Sequence, residues 1–208
     1  MAEKEKGMKT LLWSIIMSSP GPLVVGLGLI AGRSSTQIAD FVRRSAELLA
    51  IIMSFAVYCV LAKGGGFDNA KRRKLECGSN VFVGSMMCLA GAIMAVLSFV
   101  VGSDDKGNVI PGLAIAVLGV IANSIFWSRY THLNKSEPNA ILAVQARLYR
   151  AKTLVDISVT IALLSVLIAP MSAVSIWLDI IGSLIVAVYL VYCGARTVRE
   201  ELNNALKR

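Results

Sequence analysis

Long apolar runs alternate with short polar segments along the whole chain. A helix needs about 20 apolar residues, at 1.5 Å each, to cross about 30 Å of hydrocarbon. Six segments meet this requirement, and no connection between them could hold a folded domain. The pattern predicts an all-α integral membrane protein of six transmembrane helices, one domain over residues 1–208, with no cytoplasmic domain after the sixth helix. The predicted spans are approximately 10–31, 38–62, 80–101, 110–127, 140–169 and 173–195.

The first span contains the sequence Ser18-Ser19-Pro20-Gly21-Pro22. A proline inside a helix removes a backbone donor and clashes with the preceding turn. Such breaks are tolerated in membrane helices where neighbouring groups satisfy the freed carbonyls. We therefore expect a kink or a broken helix at this point.

Composition agrees with a membrane protein and argues against an enzyme. Hydrophobic residues make up 56% of the chain and charged residues 16%, whereas soluble domains carry about 25% charged residues. The four cysteines show no CxxC spacing, so we expect reduced packing residues. His132 is the one histidine, and we expect it in a solvated loop. No set of residues suits nucleophilic catalysis, and no cofactor is expected.

The basic residues predict the orientation in the membrane. Of the 21 Lys and Arg residues, 14 lie in the N-terminus, the second and fourth connections and the C-terminus, while the opposite connections carry only Arg33 and Lys106. Basic residues concentrate on the cytoplasmic side, so we expect a cell-membrane protein with both termini cytoplasmic. The net charge of +8 then reflects topology and contact with anionic lipid, and no nucleic-acid partner is expected. The 14 are Lys4, Lys6, Lys9, Lys63, Lys71, Arg72, Arg73, Lys74, Arg129, Lys135, Arg196, Arg199, Lys207 and Arg208.

Ionisable residues also lie inside the predicted helices. Arg43 and Glu47 are four residues apart on the second span, and Lys152 and Asp156 have the same spacing on the fifth. Each pair shares one helix face, so antiparallel helices would place Arg43 level with Asp156 and Glu47 level with Lys152. Charges at membrane depth are costly unless they are paired or hydrated. This ring of four charges is either structural glue or a transport site.

Several separated segments give the chain a family resemblance. From about Gly32 onward it resembles the six-helix membrane domain of the cation diffusion facilitators, which are proton-coupled exporters of divalent metals. The second-helix segment with Ala39-Asp40 before Arg43 and Glu47 is similar to the family's Ala-Asp sequence followed by a His/Asp-x-x-x-Asp pair. The first span matches poorly. The other similar segments are 67–76, the fourth-helix run ending in Asn123, the fifth-helix segment 152–158 and the sixth-helix segment from Asp179 to Glu200.

The four central positions depart from the family pattern. The resemblance implies a tetrahedral metal site made of carboxylates and neutral imidazole, yet this chain has Arg43, Glu47, Lys152 and Asp156 there. Arginine has no lone pair to donate, and lysine is normally protonated. Two carboxylates alone do not complete a zinc shell. We therefore expect no metal site at these residues, which would form a substrate and proton pathway together with Asp40, Asn123 and Asp179.

Two functions remain open. The first is a proton-coupled cation transporter with this non-standard site. The second is a non-transporting relative that acts as a partner or regulator of another membrane protein. The partners implied are membrane lipid, a cation or proton as substrate and, as an open alternative, a second copy of the chain in a homodimer.

Overall fold

A computed structural model describes residues 2–31, 35–63, 68–100, 110–168 and 173–206. All secondary structure in these ranges is α-helical. The helices are α1 (Ala2–Ser18), α2 (Pro20–Ala31), α3 (Ser35–Lys63), α4 (Asn69–Val100), α5 (Ile110–Ser136), α6 (Ala140–Ile168) and α7 (Ala173–Leu206).

The predicted break in the first span is confirmed. Helix α1 ends at Ser18, and α2 begins at Pro20 after a single turn residue, Ser19. Proline suits the first position of a helix because its missing N–H would have no intrahelical acceptor there. The sequence therefore ends one helix and starts the next at the same place.

Three helices extend beyond the predicted membrane spans. Helix α4 begins at Asn69, about three turns before residue 80, where the predicted span starts, and carries the basic run 71–74 on its first turns. Helix α5 continues to Ser136, so His132 is an exposed helical residue and not a loop residue. Helix α7 continues to Leu206. Hydropathy detects the part of a helix that crosses hydrocarbon, whereas polar turns outside it are stabilised by pairs such as Arg72–Glu76 and Arg196–Glu200.

The turn between α5 and α6 shows how a polar sequence fixes a helix start. The Asn139 Oδ1 atom accepts hydrogen bonds from the backbone N–H groups of Ile141 and Leu142, at 3.0 and 3.3 Å. This side chain satisfies two amides that have no carbonyl partner within the helix, as an N-cap does. Helix α6 therefore starts directly after Asn139.

Glycine allows α4 and α7 to pack with their backbones in contact. A Cβ atom at Gly194 would lie 2.5 Å from the Gly84 carbonyl oxygen, and one at Gly91 would lie 2.8 Å from the Ala187 oxygen. Small residues let membrane helices approach this closely. We call these three glycines, Gly84, Gly91 and Gly194, the glycine crossing.

Four segments within the described residues are long and apolar enough to cross a membrane, namely Phe41–Lys63, Asn69–Ser98, Leu113–Ser136 and Ile180–Leu206. Helix α6 has the necessary length of 29 residues but carries Arg147, Arg150, Lys152 and Asp156. Large apolar side chains such as Leu118, Ile185 and Val188 lie on the outer surface, as suits contact with lipid. The chain is a multi-pass membrane helix bundle, and its four cysteines are free thiols.

Candidate polar site within the helix bundle

The Glu47 carboxylate on α3 lies at the centre of a polar cluster inside the bundle. Its Oε1 atom is 3.1 Å from Arg43 Nη1, one turn away on the same helix. Its Oε2 atom is 3.6 Å from Lys152 Nζ on α6. The three side chains are 8% to 12% exposed. A buried carboxylate is stable only with such partners, so Glu47 joins α3 to α6.

Lys152 has further contacts that suit an ammonium group. Its Nζ atom donates to Ser18 Oγ, the last residue of α1, at 3.4 Å. It also lies 5.0 Å from the centre of the Tyr149 ring, within the range of a cation–π interaction. The Ser18 hydroxyl is in turn 3.2 Å from the Tyr149 hydroxyl. Lys152 thus binds a carboxylate, a hydroxyl and an aromatic face.

Asp156, one turn after Lys152, contacts α5. Its Oδ2 atom accepts a hydrogen bond of 2.6 Å from Asn123 Nδ2. Gly119 lies beside it, and a Cβ atom there would be 2.6 Å from the same oxygen. The missing side chain at Gly119 therefore makes the room in which the carboxylate rests against α5.

The structure brings the four predicted charges into one region. The expected contact between Glu47 and Lys152 is present. Arg43 also contacts Glu47 on its own helix, and Asp156 accepts a hydrogen bond from Asn123. Spacing along a helix predicts a shared face, whereas partners across helices depend on rotations that the sequence does not specify.

Two further predicted residues, Asp40 and Asp179, lie on α3 and α7. Their side chains fall outside the part of the structure that is described.

Sequence reasoning missed Ser18, Tyr149 and Gly119. A signal for the first two was present. Thr10, Ser14 and Ser18 repeat every four residues on α1, and Tyr149 lies three residues before Lys152 on α6, so each falls on the polar face of its helix. Gly119 carries no such signal, because the need for space appears only once Asp156 is placed beside it.

Among the described side chains of the cluster, Glu47 and Asp156 are the carboxylates, and no histidine or cysteine lies with them. Within the described ranges, no group of three His, Cys, Asp or Glu side chains lies close enough to hold a metal ion. The arrangement can hold cationic groups through Glu47, and it can exchange protons through the carboxylates and the Lys152 ammonium.

Comparison with known proteins agrees with this membrane architecture. No curated protein matches the sequence significantly. Residues 11–204 match the family model described as the cation efflux transmembrane domain. This match covers nearly the whole chain and includes all the helices that form the polar cluster, so the protein belongs to the cation efflux family, the cation diffusion facilitators, whose members transport cations across membranes.

Proposed function

We propose that this protein is a proton-coupled cation transporter whose transport site is the cluster of Arg43, Glu47, Lys152 and Asp156. The observation that carries the proposal is the buried Glu47 carboxylate, held between Arg43 at 3.1 Å and Lys152 at 3.6 Å. Ionisable groups at membrane depth mark ion and proton pathways. In a chain of the cation efflux family, a carboxylate paired with a titratable ammonium suits the exchange of a cation for a proton.

Arg43 and Lys152 occupy positions where related transporters would carry metal ligands. This assignment rests on the resemblance of the segments around Arg43 and Lys152 to the two paired ligand motifs of the family. A protonated Lys152 neutralises Glu47 when no substrate is bound. Loss of its proton would leave the four side chains with one net negative charge, since Arg43 stays charged. An incoming cation would balance this charge, which links cation binding to proton release. Asn123 would orient Asp156 as the second carboxylate of the site, and Asp40 and Asp179 extend the pathway.

The membrane arrangement that we propose has six spans. The broken helix α1–α2 and the charged helix α6 cross the bilayer in addition to the four strongly apolar segments. Both are accommodated because their polar side chains, such as Ser14 and Lys152, face the bundle interior. Both termini would lie in the cytoplasm of the cell, where the basic residues concentrate. We also propose that the protein forms a homodimer, and the support for this is that members of the family often do so.

The ion pairs of Glu47 with Arg43 and Lys152 also support a second candidate function. Because Glu47 is already neutralised by two cations, the cluster could fix α3 against α6 in one conformation. The protein would then be a non-transporting relative that binds and regulates another membrane protein.

Flux measurements in proteoliposomes separate the two functions. We would impose a pH gradient and measure uptake of zinc, manganese, iron, sodium and potassium ions. The transporter proposal expects gradient-driven uptake of at least one ion, lost in Glu47→Gln and Asp156→Asn. Glu137→Gln, at an exposed carboxylate after α5, is the matched control and should retain uptake. Folded protein that moves none of these ions, in either direction of the gradient, would contradict transport and favour the regulatory role.

A further inference from the structure

A series of hydroxyl groups runs through the bundle from Lys152 toward the N-terminal end of α1. Ser18 Oγ lies 3.4 Å from Lys152 Nζ and 3.2 Å from the Tyr149 hydroxyl. Further along α1, the Tyr130 hydroxyl donates to Ser14 Oγ at 2.8 Å. All of these groups carry exchangeable hydrogens: the ammonium can release a proton, and each hydroxyl can both release and accept one.

In the two remaining steps, the tyrosine hydroxyl contacts the backbone carbonyl oxygen of the residue whose side chain carries the next hydroxyl. The Tyr149 hydroxyl donates to the Ser14 carbonyl oxygen at 3.4 Å, and the Tyr130 hydroxyl donates to the Thr10 carbonyl oxygen, also at 3.4 Å. A carbonyl oxygen cannot pass a proton on, so the path requires one bridging water between each phenol and the neighbouring hydroxyl. The Ser14 hydroxyl, which donates to the Leu11 carbonyl oxygen at 2.8 Å, has to turn away from it during transfer. The series ends at Thr10, whose Oγ1 donates to the carbonyl oxygen of Lys6, an exposed residue.

These groups are enclosed by the bundle. Ser14, Tyr130 and Tyr149 are fully buried, and Thr10 is 3% exposed. Beside them, Gln145 Oε1 is buried and has no hydrogen-bond partner among the described residues, although its Nε2 donates to Ser54 Oγ. Buried polar groups are rarely left unpaired without a water or a function. The buried hydroxyls and the unpaired amide oxygen therefore mark this part of the bundle as a candidate functional region.

We propose that the hydroxyls of five residues form a proton path between the Lys152–Glu47 pair and the N-terminal face of the protein. The residues, in order from the pair outward, are Ser18, Tyr149, Ser14, Tyr130 and Thr10. The inference rests on the proposed function, because it names the route of the coupled proton.

The transfer balances without any other reactant. Lys152 releases one proton to Ser18 Oγ, each hydroxyl accepts one proton and passes on another, and Thr10 gives one to water near Lys6. Lys152 is left neutral, so Arg43, Glu47 and Asp156 leave the site with one net negative charge, which the incoming cation balances. The reverse sequence restores the ammonium, after each O–H bond rotates back.

The path can be tested by the rate at which a proton reaches the pair. In lipid nanodiscs held at alkaline pH, where Lys152 has lost its proton, a photoacid lowers the pH. Infrared spectroscopy then follows the shift of the Glu47 carboxylate band as Lys152 is protonated, and this band is identified as the one that is missing in Glu47→Gln. We expect Tyr130→Phe and Tyr149→Phe to slow the response by at least about tenfold, which corresponds to about 1.4 kcal/mol in the barrier. Ser14→Ala should slow it as well. The rings of Phe126, Tyr130 and Tyr149 pack with centres 5.2 to 6.4 Å apart, and phenylalanine keeps this packing.

Tyr58→Phe is the matched control. Its hydroxyl donates to the Lys4 carbonyl oxygen at 3.4 Å and is not one of the five hydroxyls of the proposed path, so its loss should leave the rate unchanged. An unaltered rate in both Tyr130→Phe and Tyr149→Phe would overturn the path, as would a wild-type band that does not respond to the pH step. If the tyrosine variants slow protonation but the wild type moves no cation, the path is supported and transport is contradicted. If the wild type moves cations but the tyrosine variants keep its protonation rate, transport is supported and the path is contradicted.

Discussion

Glu47 is the residue on which the polar site depends, because each of its two oxygens contacts a different cation. Arg43 reaches it from one turn away, and Lys152 reaches it from another helix. Removing one member of a buried ion pair leaves an uncompensated charge, which is far more costly than removing both. Comparing the single and double substitutions therefore shows whether two charges stabilise each other or only lie near each other.

A double-mutant cycle measures the Glu47–Lys152 pair. We expect Glu47→Gln and Lys152→Met each to lower the stability in detergent by about 3 kcal/mol or more. The double variant should fall short of the sum by at least about 1 kcal/mol, because its second change removes a charge that the first left unpaired. Chemical or thermal unfolding followed by helical circular dichroism provides the measurement. Glu5→Gln, in the exposed Glu5–Lys9 pair, should cause no detectable change, and strict additivity would show that Glu47 and Lys152 act independently.

Zinc binding is expected to be weak in the wild type. Two of the four central side chains offer no lone pair, and their charges repel a divalent ion in a poorly screened environment. Arg43→Asp combined with Lys152→His restores four oxygen and nitrogen ligands of the type that zinc prefers. Isothermal titration should therefore show stoichiometric binding only in the double variant. Tight binding by the wild type that is lost when Glu47 and Asp156 are both changed to Ala would contradict this reading of the site.

Helix positions, the break after Ser18 and the contact between Glu47 and Lys152 could be predicted from the sequence, whereas the start of α4 and the hydrogen bond between Asn123 and Asp156 could not. The proline-containing segment at Ser19 gave the break between α1 and α2 because proline acts locally on the backbone. The start of α4 at Asn69 was missed because hydropathy falls wherever a helix leaves the hydrocarbon, even when the helix continues. The shared face of Lys152 and Asp156 follows from helical periodicity, but the bond from Asn123 to Asp156 depends on how α5 and α6 are rotated against each other. Packing between elements decides that rotation.

The glycine crossing gives a prediction about the α4–α7 pair. Gly194→Ala would place a methyl group within 3 Å of the Gly84 oxygen and of the Cys88 sulfur and backbone nitrogen, and overpacking of this kind costs about 1 to 3 kcal/mol. We therefore expect the Gly194→Ala variant to unfold at a lower temperature than the wild type, because the added methyl group gains no apolar burial that would offset the clash.

Gly78→Ala on α4 is the control for that change. Among the described residues, no heavy atom apart from the neighbouring backbone of its own helix lies within 4 Å of the position that its Cβ would occupy. Alanine is favoured over glycine within a helix by up to about 1 kcal/mol. Gly78→Ala should therefore leave stability unchanged or raise it. Equal effects of the two substitutions would mean that helix propensity, and not the close approach of α4 and α7, governs both.

The orientation of the whole molecule can be tested by labelling. In a background with all four cysteines replaced by Ser, we expect Asn204→Cys, at the exposed end of α7, to react with a membrane-impermeant maleimide only in inverted vesicles. The reason is the excess of basic residues on the side of both termini. Lys106→Cys, in the opposite connection by sequence, should react only in right-side-out vesicles. Labelling of Asn204→Cys from the outside would reverse the proposed topology.

The glycine crossing also decides which parts of the bundle can move separately. Helix α4 has 32 residues and is about 48 Å long, so a small change in its angle to α7 would displace its ends by several ångströms. Because the backbones already touch at the crossing, we expect the two helices to tilt as one rigid body. Any hinge motion that exposes the polar site alternately to the two sides then falls between this body and the remaining helices. The Arg147–Glu200 contact of 2.8 Å joins α6 to α7 across that boundary, and it would have to open or re-form in each cycle.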